Sequence, residues 1–301
     1  MIVRATENHR FHAMSGNLAT IRNQSAQVLE TLATGKNINR ISDNPQGAVS
    51  LEKLQASLER NAQYQRNLEL IRPWVDFSCV NLEYAGTLLS EACQIADSHS
   101  DGSAADGERA TAVMQLDNIL QELIDTANAS LNGRYVFGGS KADAPPFAET
   151  GGDPPVVYNG DDQRLLVNVD AGMTLAYNIT GESVFVAGDG NVDVFQAVTD
   201  LKTALENNDA AGIQAQSDIL TQACDQVQLG VSRTGAIAGR MELSESRLSA
   251  LETRVSTRIS DIQDADLAKL AAEYYMTEIA LQAAYSVSSQ IKDYSLINFL
   301  E

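Results

Sequence analysis

Apolar side chains recur at alternating spacings of three and four along the first 32 residues: Phe11, Met14, Leu18, Ile21, Val28 and Leu32, with Ser25 in the one polar place. Only every third or fourth side chain shares a helical face, so this pattern predicts a helix that packs along a partner helix. Much of the remainder of the segment is Asn and Gln, and positions 1–50 hold five basic and three acidic residues. The whole chain, by contrast, has 40 acidic and 21 basic residues and a formal charge of −19. So acidic a chain lacks the basic face that displaces phosphate counterions, which argues against nucleic acid, and it is repelled by an anionic membrane surface. Aromatic residues are 6% and apolar residues 44% of its 301 positions, the palette of long packed helices rather than of a pocket walled with rings. No run of 18 apolar residues occurs, so no membrane span is expected. The first eight residues lack the apolar stretch of a cleaved secretory signal.

Thr34-Gly35-Lys36-Asn37 ends the first helix, with Gly35 suited to a left-handed cap, and Ser42-Asp43-Asn44-Pro45 starts the next. That second run carries Leu51, Leu54, Leu58, Tyr64, Leu68, Ile71, Val75, Leu82 and Leu89, with Pro73 inside it to kink or split the helix. A third helix reaches Leu131-Asn132-Gly133. Between about 134 and 188 the period changes from 3.6 to 2, through Leu165, Val167, Val169 and then Met173, Leu175, Tyr177, with Tyr158-Asn159-Gly160 as a hairpin turn signal. Helix resumes at Asp193, again after Asp209, and from Leu267 to Phe299. The expected fold is mainly α with a small inserted β domain: a long antiparallel helical hairpin, a coiled-coil rod. Its parts are 1–46 with 260–301 as a terminal coiled coil, 47–133 with 189–259 as a helical rod, and 134–188 as the β-rich domain.

Chemistry has no visible constellation: no P-loop, no nucleophile elbow, no paired CxxC and no HExxH. His9 and His12 share a helical face but lack a third ligand. Asp189, Asn191 and Asp193 sit at the first, third and fifth places of a calcium loop, yet Val194 replaces the required glycine and Asp200 the bidentate glutamate; a turn with Asp193 as a helix cap is the plainer reading. The carboxylates Asp161, Asp162, Asp261, Asp264 and Asp266 read as solvated loop faces. Cys79, Cys93 and Cys224 are too few for a disulfide framework, and on one helix Cys79 and Cys93 would lie ~21 Å apart, so they read as small buried hydrophobes. No catalytic residue, cofactor or metal is expected.

Leu32-Ala33-Thr34-Gly35-Lys36-Asn37-Ile38-Asn39-Arg40-Ile41-Ser42-Asp43-Asn44-Pro45 resembles the signature of the bacterial flagellin family, in which Asn39, Arg40, Ser42, Asp43 and Pro45 occupy the diagnostic places. Asp261 to Asp266, then Gln282-Ala283-Ala284 and the stretch to Leu300, resemble the matching C-terminal end. Asn132 to Phe147, with its Tyr135-Val136-Phe137-Gly138-Gly139 core, is similar to the run found in family members that join hook to filament, and Val3 to Asn8 lacks the alternating Ile/Asn start of filament subunits. The resemblance implies an extracellular structural protein of the bacterial flagellum, exported through the flagellar type III apparatus and installed as a thin junction ring. Its implied partners are copies of itself, hook-associated protein 1 on one side, flagellin on the other, and an export chaperone that holds its C-terminal helix.

Helices with so few large side chains are marginal alone, so the terminal segments are expected to become ordered only when neighbouring copies pack around them. The assembly interface is assigned to Phe11, Met14, Leu18, Ile21, Val28 and Leu32 with Leu281, Val287, Ile291 and Phe299. Three other readings compete: a filament flagellin, which would form long fibres unaided; an enzyme or metal site in the 134–188 insert, which would need a bound metal or cofactor to support it; and a cytosolic coiled-coil scaffold, which export would exclude. Replacing Leu18 or Ile291 with Asp is expected to abolish assembly, scored by electron microscopy, while leaving the middle of the chain folded by circular dichroism.

Overall fold

The computed structural model describes residues 2–100, 105–188 and 190–300, and the side chains of these except 2–8, 10–11 and 290–300. Helix α1 spans Ile2–Thr34, α2 Pro45–His99 and α3 Asp106–Ala127. Three short antiparallel pairs follow: β1 (Ser130–Leu131) with β2 (Arg134–Tyr135), β3 (Phe147–Glu149) with β4 (Val156–Tyr158), and β5 (Leu166–Asp170) with β6 (Met173–Ala176). The chain then returns to helix in α4 (Glu182–Phe185), α5 (Val194–Glu206), α6 (Ala210–Gln263) and α7 (Leu267–Leu300). The fold is mainly α with small antiparallel sheets, as the periodicities require.

The punctuation explains the boundaries. Gly35 closes α1 at φ +67°, its N–H donating to the Thr31 carbonyl at 2.9 Å. Asn44 opens α2 by accepting the Gly47 N–H on its side-chain oxygen at 2.9 Å, and Pro45 in the first turn has no amide to leave orphaned. Pro73 does not split α2, which runs unbroken to His99. Asp193 caps α5 by accepting the Gln196 N–H at 2.9 Å.

The turn assignments differ from expectation at two places. Asn132 (φ +54°) and Gly133 (φ +80°) do not end α3 but form the two-residue turn of the β1–β2 hairpin, where both central residues need positive φ. Tyr158-Asn159-Gly160 is no turn; it continues the β3–β4 ladder, Asn159 donating to the Pro146 carbonyl at 2.7 Å. The β5–β6 hairpin turns at Ala171-Gly172 instead, with Gly172 at φ +77°.

Contacts divide the chain into two units, residues 1–60 with 251–301, and residues 61–250. The second unit has a deep core, in which Leu82, Leu89, Leu116, Leu123, Leu201 and Leu220 are fully buried. The strands share this core with the helices. Phe185 and Phe195 stack within it at 5.9 Å between centroids, Phe147 meets Phe185 edge-on at 5.6 Å and Phe195 at a tilt at 5.3 Å, and Phe137 meets Phe185 edge-on at 5.5 Å. A smaller cluster joins Val169 and Leu175 of the β5–β6 hairpin to Leu68, Ile71, Val75, Met241 and Leu248.

The 135–147 stretch is anchored by one carboxylate. Asp161 accepts from the Ser140 N–H at 2.7 Å and the Ser140 hydroxyl at 2.5 Å, and these donors hold its carboxyl below the usual range. Tyr158 donates its hydroxyl to the carbonyls of Phe137 and Asp161, both at 3.0 Å, and burial pushes its own pKa up to about 12. Gly139 makes that approach possible: it sits at φ +69°, and a Cβ there would lie 2.2 Å from the Asp161 carbonyl oxygen. Gly139→Ala is therefore expected to cost about 2–3 kcal/mol and lower the melting temperature by roughly 5–10 °C, measured by thermal denaturation.

Candidate assembly interface

The first unit is short of core. Among the described residues its buried apolar side chains are Val28, Ile38, Leu51 and Val255, whereas the other buried apolar residues belong to the 61–250 unit. What the first unit has in their place is a pair of long helices lying side by side, α1 and α7. Their antiparallel sense follows from the splice between them. Asn37 donates its backbone N–H to the Gln263 carbonyl at 2.7 Å, Ala265 donates to the Gly35 carbonyl at 3.0 Å, and Lys36 bridges Asp264. The end of α1 thus meets the start of α7. Asp266 caps α7, its carboxylate accepting the Ala268 and Lys269 amides at 3.0 Å each.

On α1 the covered positions are those of the heptad seam. Met14, Leu18, Ile21, Ser25 and Leu32 are half-buried and Val28 is buried, while the residues between them are exposed apart from Thr31. On α7 the covered face runs through Leu270, Tyr274, Thr277, Leu281, Ala284 and Ser288, again at spacings of three and four. Leu281 therefore lies on the covered seam, and Val287 does not: it is 51% exposed. The side chains of Phe11, Ile291 and Phe299 lie outside the described residues.

A second stripe emerges on the open side of α7. Met276 (71% exposed), Ile279 (67%), Ala283 and Val287 repeat at three, four and four residues, with Tyr275 and Tyr285 beside them. Sequence periodicity did not single out Met276 or Ile279. The signal available was the absence of charge: from Ile279 to Ile291 there is no Asp, Glu, Lys or Arg, so the helix has no face built for water. Ile41 and Val49, both exposed, add an apolar rim to a shallow cleft of about 320 Å³ that Ile38 and Leu51 also line.

The loop between α1 and α2 is braced from within. Asp43 accepts the Arg40 N–H at 2.7 Å and the Asn39 N–H at 3.1 Å on one oxygen, and the Ser42 hydroxyl at 3.4 Å on the other. The Arg40 amide is the main reason its carboxyl stays below the ordinary value. Asn39 returns its side-chain amide to the Lys36 carbonyl at 3.1 Å. Arg40 pairs with Glu30 at 2.9 Å, an exposed contact worth little. Gly47 seats against this loop, since a Cβ there would fall 2.6 Å from Ile38 Cδ1. Asn39, Arg40, Ser42, Asp43 and Pro45 thus form a structural brace.

Four of the carboxylates read from the sequence as solvated loop faces, Asp161, Asp162, Asp264 and Asp266, accept hydrogen bonds within the chain. Asp162 takes the Thr180 hydroxyl at 3.0 Å, Asp264 that of Ser260, and Asp193 caps α5. Asp189 lies outside the described residues. Among the described residues no group of three or more His, Cys, Asp or Glu is placed to hold a metal, and no helix is long and apolar enough to cross a membrane.

Comparison with known proteins places the chain among flagellar components. The family model described as bacterial flagellin N-terminal helical region matches residues 7–142, and that for the bacterial flagellin C-terminal helical region matches 217–300. Flagellar hook-associated protein 3 of Salmonella typhimurium is 27% identical over 93% of this chain and 95% of its own length. The protein of the same name in Escherichia coli is 25% identical over the same shares. The solved structure of the flagellar junction protein FlgL from Legionella pneumophila superposes with a TM-score of 0.61 at 15% identity, covering 71% of this chain and 99% of that one.

Removing the brace is expected to act locally. Asn44→Ala should cost about 1 kcal/mol of helix stability and speed amide exchange in the first turn of α2. The Asp43 contribution is complete above its unfolded pKa near 3.8 and is lost as pH falls through its lower folded value. Asp43→Asn should remove that acid limb from a pH titration of the unit's stability.

Proposed function

From the premise that the chain belongs to the bacterial flagellin family, we propose that it is a structural subunit of the flagellum, packed as a ring at the junction between hook and filament. The observation that carries this reading is the uncovered stripe Met276, Ile279, Ala283 and Val287 on α7. One face of α7 is satisfied within the chain and the other is left for neighbouring copies. The half-covered positions Met14, Leu18, Ile21 and Leu32 of the α1 seam are completed in the same assembly, to which the sequence pattern also assigns Phe11 and Val28 on α1 and Leu281, Ile291 and Phe299 on α7. Each large aliphatic side chain buried there contributes about 1.5–3 kcal/mol.

The role is structural, without catalysis. The neighbours along the axis are hook-associated protein 1 and flagellin, and an export chaperone covers the C-terminal helix before assembly. Delivery is through the flagellar type III route, and the site of action is extracellular. The terminal segments 1–46 and 260–301 make up the assembly domain.

Gold-labelled antibody on isolated flagella tests this reading. A narrow band at the far end of the hook is expected; label along the whole filament would make the chain a filament flagellin. The double substitution Met276→Asp with Ile279→Asp should lower incorporation at least tenfold, since two buried apolar contacts are lost.

A further inference from the structure

The three cysteines do not behave alike. Cys93 on α2 and Cys224 on α6 bring their sulfur atoms to 3.6 Å, although 131 residues separate them in sequence. Both are half-buried and both pack against the main core. That core fixes the backbone on either side: Leu89, Ala92 and Ala96 of α2, and Leu220, Ala223 and Val227 of α6, are fully buried. The two thiols are thus held in contact by packing that does not depend on them. To bond, the two sulfurs must close from this distance to a length near 2.05 Å.

We propose that Cys93 and Cys224 are an oxidation site, forming an intramolecular disulfide when the folded chain meets a small-molecule disulfide. The Cys224 thiolate, its proton given to solvent, attacks one sulfur of RSSR and expels RS⁻. The Cys93 thiolate then attacks Cys224 Sγ, breaks the mixed disulfide and expels the second RS⁻. The protein loses two protons and two electrons, and RSSR is reduced to two RSH. The contact also sets the two thiols apart: either sulfur can donate in it, and hydrogen sharing between them lowers the Cys224 thiol, while the same contact and burial push Cys93 up. Cys79 provides an internal control, because burial and the Glu83 carboxylate beside it raise its thiol and the other two cysteine sulfurs are paired with each other. The bond would tie α2 to α6 across everything between them. This inference is independent of where in the flagellum the chain sits.

The test uses the purified, reduced full chain incubated with oxidised glutathione, then alkylated and analysed by mass spectrometry. One alkylated thiol out of three, a monomer lighter by two hydrogens, and a linked pair of peptides containing Cys93 and Cys224 are expected. Oxidation should also raise the melting temperature by about 5–15 °C. Cys79→Ser should keep the shift; Cys93→Ser and Cys224→Ser should each lose it. Three alkylated thiols, stable glutathione adducts on Cys93 and Cys224, or a covalent dimer through Cys79 would overturn the proposal.

Discussion

A helix that is apolar on two faces cannot be satisfied by one partner helix. α7 is such a helix: one face is covered through Leu270, Tyr274, Leu281 and Ala284, and the other presents Met276, Ile279 and Val287 to solvent. An isolated antiparallel pair encloses too little apolar surface to offset the entropy of ordering some 60 residues of backbone. The first unit has few other resources, since Val28, Ile38, Leu51 and Val255 are the buried apolar side chains it can count among the described residues.

The 61–250 unit solves the same problem internally. Its helices and hairpins pack into a main core and a smaller cluster, Phe137, Phe147, Phe185 and Phe195 interlock, and buried Asn61 donates to the Leu248 carbonyl at 3.0 Å between α2 and α6. Arg72 meets Glu245 at 2.6 Å across the same two helices. The 61–250 unit therefore carries a core of its own, whereas the other unit is the one that the proposed assembly would finish. The loop braced by Asp43 and the antiparallel splice at Lys36 and Asp264 belong to the first unit, and they fix where α1 ends and α7 begins, whatever covers the helices afterwards.

Much of this was legible in the residues. From Met14 to Leu32 the covered face of α1 lies at the positions that the three–four spacing marks, because a helix turning every 3.6 residues brings those side chains onto one face. Gly35, Asn44 with Pro45, and Asp193 act as caps through groups that any sequence displays. The misses share a cause: they depend on what lies across space. Two Asn-Gly pairs looked alike, yet Asn132-Gly133 turns a hairpin and Asn159-Gly160 does not, since Gly160 lies against the Tyr158 ring. Periodicity marked one face of α7 and passed over Met276 and Ile279, because a second stripe shows only as missing charge. The meeting of Cys93 with Cys224 has no sequence signal at all.

Hydrogen exchange compared between the monomer and the assembled ring tests the division most directly. The account predicts that amides in 12–34 and 267–289 gain protection by orders of magnitude on assembly, while those in the 61–250 core scarcely change. Equal, strong protection of both helices in the solitary chain would contradict it.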